Sequence, residues 1–369
     1  KFSDISQIIK QHIGDLNFYN DYSIQNKIDP SIFVNGLEHN KIVFVNGRIE
    51  KIEFNYEEED KIEIKDVVEL NDKSNFENSL VDLNNAFTNK YCKIIVKENY
   101  TLKKPLIIYH TTKENLHLKN INLRLDFLLK KNSCLKLIDI SNDLSEKNFI
   151  NTLYNFELKQ DSIIKNYKID QKINNNIKYF FNNIDQDINS VSETFILSSG
   201  SNFIKNEIKC NLNGKYSSAF INGIFSLKEK RHHEIRTSIN HLIDNTKSYQ
   251  LVKSVLENDS KSVYQGKIYV NSDAQKTDGY QLSKAILLSE NAEFNAKPEL
   301  EIYADDVKCS HGSASGNLNQ DSIFYLMSRG LKYKQAKELL INGFFLDVVE
   351  KITDSEVRNL VKSFIGVQE

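Results

Sequence analysis

Cys309 and His311 stand two residues apart in the stretch Tyr303-Ala304-Asp305-Asp306-Val307-Lys308-Cys309-Ser310-His311-Gly312. A thiolate and an imidazole are both ligands for transition metals and for iron–sulfur clusters. On a strand, Val307, Cys309 and His311 share one face, while Asp306, Lys308 and Ser310 share the other. Same-side neighbours then lie roughly 6.5–7 Å apart, near enough to contribute to one metal site. The pair is incomplete alone, because structural zinc takes four protein ligands and no second Cys/His pair has ligand spacing. His232, His233 and His241 could join only if folding brought them close, and they read as satisfied or exposed histidines. Cys309 reads first as a small core hydrophobe and only second as a ligand. His311, before Gly312 at the expected end of the strand, reads as exposed and functional.

Other chemistries find less support. Asp305 and Asp306 could serve as the carboxylate pair of a carbohydrate-active β-helix enzyme. Adjacent strand residues face opposite sides, however, and the chain has no Trp to stack on a sugar. The sequence holds neither a G-x-x-x-x-G-K-[ST] phosphate loop nor a G-x-S-x-G nucleophile elbow.

These residues must be positioned by a chain of 369 residues, long enough for two or three structural units. A net charge of -2 argues against a nucleic-acid or anionic-membrane partner. No apolar run is long enough for a membrane helix, and the N-terminus lacks a signal-peptide layout. Four scattered cysteines fit reduced thiols. The expectation is a soluble protein of the cytoplasm, or of a plastid in a plastid-bearing eukaryote.

Periodicity divides the chain in three. Ser3 to Leu16 carries Ile5, Ile8, Ile9, Ile13 and Leu16 at helical spacing, with Ser3 or Asp4 as cap. Two β-rich runs flank Asn46-Gly47, a hairpin signal, since Asn and Gly tolerate positive φ. Phe76, Leu80, Leu83 and Phe87 predict a helix over 79–87. From Tyr91 the period is two for some two hundred residues, as in Ile121, Leu123, Leu125, Phe127 and Leu129. A sandwich, a barrel and a stacked β-helix could all give this text, and no exact repeat is visible. The Asn richness reads mainly as compositional drift. After Asn319 the helical period returns. One helix stops at Gly330, and a second ends near Gly343. A last one carries Val357, Leu360, Val361, Phe364 and Ile365 behind a Thr353/Glu356 capping box.

Several segments resemble the SufB/SufD family of iron–sulfur cluster assembly scaffolds. Phe44-Val45-Asn46-Gly47-Arg48 is similar to its "FVNGR" turn, Leu83-Asn84-Asn85-Ala86-Phe87 to its "LNxAF" helix, and Lys104-Pro105-Leu106 to a later strand entry. Ser248 to Leu256, Gly266 to Val270 and Ala274 to Asp278 resemble the run ending "AQKTDA". The densest match joins Pro298 to Ile302 with Asp305 to Gly312. It continues through Phe324-Tyr325-Leu326, Ser328-Arg329-Gly330 and Gly343-Phe344. Asp-Asp-Val-Lys-Cys-Ser-His-Gly points to the SufD branch, whereas Ser313-Ala314-Ser315-Gly316 departs from the usual "ATVG".

The resemblance implies a mainly β protein with a right-handed parallel β-helix core. That core would span 91–317, between an N-terminal helical and mixed region (1–90) and a C-terminal helical unit (318–369). It implies a scaffold without catalysis of its own, paired with SufB and docked on the ABC-type ATPase SufC, with a possible homodimer when isolated. No cofactor would be held tightly by the chain alone. A transient iron–sulfur cluster would form at the SufB junction, with His311 a candidate ligand and Cys309 a weaker one. Phe324, Tyr325, Arg329, Leu339, Leu340, Phe344 and Phe345 are the candidates for SufC docking, some of them expected to pack inward instead. A SufB-like subunit carrying its own cluster is the alternative within the family.

Overall fold

The computed structural model describes residues 4–12, 17–18, 28–67, 78–88, 91–113 and 116–366. Ser3, Ile13, Leu16 and Phe76, to which the sequence assigned helical roles, lie outside the described residues. The helices are α1 (Ile5–His12), α2 (Ser79–Phe87), α3 (Gln320–Ser328), α4 (Tyr333–Val349) and α5 (Ser355–Ile365).

Between α2 and α3 the chain alternates between two sheets, laying each strand parallel to and in register with the strand one coil earlier. The result is a β-solenoid of about eight turns. The first sheet ends on Glu293–Ile302 and the second on Lys308–Asn317. The second sheet also takes in Asn40–Val45, which pairs with Leu106–Thr111, so the solenoid begins inside residues 1–90. Asn46 (φ 53°) and Gly47 (φ 81°) form the expected hairpin turn, joining Asn40–Val45 to the antiparallel strand Arg48–Glu53.

Strand alternation sends Leu123, Leu125, Phe127 and Leu129 into the lumen, where Phe127 stacks on Phe156 at 4.8 Å between ring centroids. Truncating one such side chain to Ala costs about 2–5 kcal/mol. The coils turn on residues of positive φ: Asn99, Asn132, Asp161, Asn189, Tyr216, Asn245 and Lys276. All of these but Tyr216 donate their backbone N–H to the next coil, as Asn99 does to Lys131 O and Asn132 to Gln160 O. Several of the asparagines read as drift therefore have a conformational task, because Asn tolerates the left-handed region.

The helices lie on the outer faces of the sheets. Ile5 and Ile9 of α1 and Leu80 and Val81 of α2 cover Phe149, Leu153 and Ile177. Asp4 caps α1, its carboxylate accepting from Gln7 N at 3.1 Å. Asn84, from the "LNxAF" segment, is fully buried and donates to Leu123 O (3.1 Å) and Asn151 O (2.8 Å), pinning α2 to the sheet. On the second sheet, Phe345, Val348, Val349 and Ile352 join Val357 and Val361 of α5 to cover Tyr167, Ile169, Phe195 and Leu197.

Two local expectations are corrected. Gly343 does not end a helix, since α4 runs through it to Val349. The cap of α5 is Asp354, which accepts from Val357 N at 3.1 Å, while the Thr353 hydroxyl donates to Glu193 at 3.0 Å.

Candidate functional site

The last coil positions the Cys309–His311 pair. Its strand Lys308–Asn317 pairs with Asp278–Leu287, setting Cys309 beside Gly279 and His311 beside Gln281. Gly279 and Gln281 are buried inward positions, so Cys309 and His311 continue lumen columns that pass through Ser248 and Gln250 one coil further back. The strand does not end at Gly312 as expected. His311 is exposed because no further coil lies over this one among the described residues.

Cys309 and His311 differ in surroundings. Cys309 is half-buried against Ile268, Val270, Ala274 and Ala304. A Cβ at Gly279 would stand 3.3 Å from its Sγ, so this glycine leaves the thiol its seat. Burial pushes the Cys309 thiol above its ordinary pKa, which favours the protonated form. The His311 side chain is exposed and makes no hydrogen bond or ion pair with the described residues.

Beneath His311 lies a polar floor that sequence reasoning missed. Gln281 is fully buried; its Oε1 accepts from the Tyr264 hydroxyl at 3.1 Å and its Nε2 donates to Glu299 O at 3.3 Å. Gly266 makes room for both, since a Cβ there would stand 2.2 Å from Gln281 Oε1 and 2.4 Å from the Tyr264 hydroxyl. The available signal was the recurrence of glutamine at an inward position, Gln250 and then Gln281, thirty-one residues apart in strands that pair in register.

Two of the other histidine candidates, His233 and His241, are structural, and His232 lies 2.8 Å from Glu234 Oε1. His233 is buried, with Nδ1 2.8 Å from Ser198 Oγ and Nε2 2.7 Å from Ser201 O. The carbonyl can only accept, so Nε2 carries the proton and Nδ1 accepts from Ser198. His241 is likewise held by Thr246 (2.7 Å) and Ser248 (2.9 Å). Burial pushes both imidazoles down to about 4, keeping them neutral. Lys178, also in the interior, bridges Asp143 and Asp170 at 2.6 Å each. Burial works against its charge, but the two aspartates outweigh that and hold its pKa raised. Among the described residues no group of three or more His, Cys, Asp or Glu side chains could hold a metal. Asp305 and Asp306 lie in the exposed turn before the last strand.

The docking candidates separate by burial. Phe324 is 73 % exposed, Tyr325 56 % and Leu339 51 %, with Tyr325 under the Arg329 guanidinium at 5.3 Å. Leu340 and Phe344 are half-buried, and Lys253 Nζ lies 4.4 Å over the Phe344 ring. Phe345 is buried against the second sheet and belongs to the core. Among the described residues no helix is long and apolar enough to cross a membrane.

The chain is similar to several known proteins. The family described as SUF system FeS cluster assembly, SufBD core domain, matches residues 109–344. Over 282 residues the chain is 28% identical to the iron–sulfur cluster assembly protein SufD of Escherichia coli K12, covering 74% of this chain and 65% of that protein. It is 28% identical over 276 residues to SufD of Plasmodium falciparum, covering 73% of this chain and 18% of that one. It is 40% identical over 119 residues to the chloroplastic protein ABCI7 of Arabidopsis thaliana, covering 32% of this chain and 25% of that one. The chain thus spans less than two thirds of the length of each of these relatives. It belongs to the SufB/SufD family of iron–sulfur cluster assembly proteins, and within that family it is SufD-like.

Proposed function

We propose that this chain is a non-catalytic scaffold subunit that helps assemble iron–sulfur clusters, pairing with SufB through its open solenoid end and docking SufC on α3 and α4. The observation that carries this reading is the last coil. An exposed, hydrogen-bond-free imidazole sits on a solenoid end that no strand or helix covers among the described residues. A site with one good ligand cannot keep a cluster, but it can share one with a second chain and release it. The nascent cluster is cargo, with His311 as this chain's ligand to it and Cys309 as packing. The exposed Phe324, Tyr325, Arg329 and Leu339 supply the SufC surface. Phe345 serves the fold, and Leu340 and Phe344 flank the contact. A cytoplasmic or plastid compartment suits the reduced thiols.

The test is a complex assembled with SufB and SufC. His311→Ala should leave the complex intact and abolish most cluster maturation, read by activation of an apo-acceptor; normal maturation would remove His311 from the site. Phe324→Asp with Tyr325→Asp should release SufC. Point changes are preferable to deleting 318–369, because that deletion strips Phe345, Val348 and Val361 from the second sheet. A stable, stoichiometric cluster on the chain alone would favour a SufB-like role.

A further inference from the structure

Between α4 and the outer face of the second sheet lies a cleft of about 1010 Å³, a size that holds a small organic molecule. Its floor is made of two columns of outward side chains, one residue from each coil. The first is Phe220, Tyr249 and Tyr280, paired in register with ring centroids 6.1 and 6.3 Å apart. The second runs Tyr167, Phe195, Asn222, Leu251 and Leu282.

Three polar groups of this largely apolar cleft have no partner among the described residues. Asn222 stands half-buried between Phe195 and Leu251, and its amide makes no hydrogen bond. The hydroxyl of Tyr167, a residue only 2 % exposed, also makes none. The Thr353 hydroxyl at the same end of the cleft is engaged with Lys165 and Glu193. Buried donors are nearly always matched, so unmatched ones facing a cleft mark where an acceptor belongs. The acids lining the cleft are paired: Glu193 with Lys165, Asp347 with Lys253, and Glu350 with Arg358 and Lys362. Lys351, two residues before Thr353, is the one charged lining group without an ion pair among the described residues. A cation and a phenol donor at one end suit an oxyanion. Asn222 lies two coils further along, roughly 10 Å away, where it meets a second polar atom of the same molecule.

We infer that this cleft binds a small amphipathic anion, its carboxylate or phosphate held by Lys351 and Tyr167 and its apolar body lying along the ring column past Asn222. The site belongs to this chain alone and does not depend on the proposed partners.

The test is a fluorescence titration of the full chain with anilinonaphthalene sulfonate and with phenylnaphthylamine, the same apolar body without the sulfonate. Both should bind, and decanoate should displace the sulfonate dye where acetate at equal concentration does not. Lys351→Gln should weaken the sulfonate dye by about fivefold and change the neutral one by less than about twofold. Tyr167→Phe should do the same without lowering the thermal midpoint, because the hydroxyl it removes has no partner in the fold. Asn222→Trp fills the floor and should expel both dyes. Unchanged sulfonate affinity in Lys351→Gln overturns the inference, as does a midpoint that falls in Tyr167→Phe. Displacement by acetate as readily as by decanoate would leave an anion site with no apolar seat, and overturns it too. Both dyes retained by a folded Asn222→Trp would belong to the exposed rings of α3, Phe324 and Tyr325, with the same consequence. If Asn222→Trp does not fold, the Lys351→Gln and Tyr167→Phe pair decides alone.

Discussion

At its N-terminal end the solenoid reverses its strands, and at its C-terminal end it does not. Arg48–Glu53 and Ile62–Val67 close the two sheets as antiparallel edge strands. Both carry charge at the edge: Lys41 and Lys51 pair with Glu53, and Lys65 and Lys97 pair with Glu63. Hydrogen bonds from those two lysines hold the Glu63 carboxyl down to about 2. Reversed direction and charge are two ways in which sheet proteins prevent another chain from adding a strand. At the other end, Glu293–Ile302 and Lys308–Asn317 stop as parallel strands with one edge unpaired among the described residues. Their inward positions include Leu300, Ile302 and Cys309, apolar groups with no coil above them. Among the described residues the fold closes one end and leaves the other open. The open end is where the proposed junction with SufB would form, and His311 lies on it.

The largest effect on partner pairing should come from making the open end resemble the closed one. Ile302→Lys places a charge on the inner face of the last coil, where a joining strand layer would bury it. Pairing with SufB should fall by about a hundredfold or more, equivalent to about 2.7 kcal/mol. The isolated chain should melt as before, because Ile302 is 38 % exposed. Titration of the two purified subunits checks this, and unchanged affinity would place the junction elsewhere.

The second effect belongs to the coils between the ends, which must stay rigid for the ends to differ. His233 and His241 titrate near 4 in the fold and near 6.5 when unfolded. Below pH 6.5 the unfolded chain takes up protons that the native chain refuses. Stability is thus complete above 6.5 and declines as pH falls to 4, by roughly 3 kcal/mol for each histidine. Denaturant titrations across this window should show the decline, with a shallower slope in His241→Gln.

Third, Gly47→Ala perturbs the closed end without touching the open one. Its φ is +81°, and a Cβ would stand 2.6 Å from Ile121 Cγ2. Left-handed strain and overpacking together cost roughly 2–3 kcal/mol. Unfolding midpoints should fall while SufB affinity stays constant; a matching loss of affinity would mean the two ends are not independent.

The same contrast governs what the sequence could reveal. The hairpin at Asn46-Gly47 was legible because both residues are turn formers and the turn is local. The coil repeat was hidden because its left-handed position accepts Asn99, Asn132 and Asp161 but also Tyr216 and Lys276. Hydrogen bonds between coils hold that backbone, so side-chain identity there can drift. Period-two patterning correctly placed Cys309 and His311 on one face. It could not tell whether another coil covers that face, and so it assigned the exposure of His311 to a strand end that does not exist. Phe344 and Phe345 were indistinguishable for a similar reason, since adjacent helix residues differ only in what the helix lies upon.

The smallest effect should be at Cys309, and it separates the two residues of the pair. Burial among Ile268, Val270 and Ala274 raises the thiol pKa. The folded chain should therefore alkylate at Cys309 at pH 8 about tenfold more slowly than the urea-unfolded chain, followed by mass spectrometry of its peptide. Cys309→Ala should preserve most cluster maturation where His311→Ala does not, because it removes a packing atom rather than a ligand. A cysteine poised for metal would show the reverse: a thiolate that reacts readily in the fold and a variant that fails in assembly. That outcome would make the open end a two-ligand site. The difference between the ends would then include a metal-binding capacity that the closed end lacks, and not only the absence of a cap.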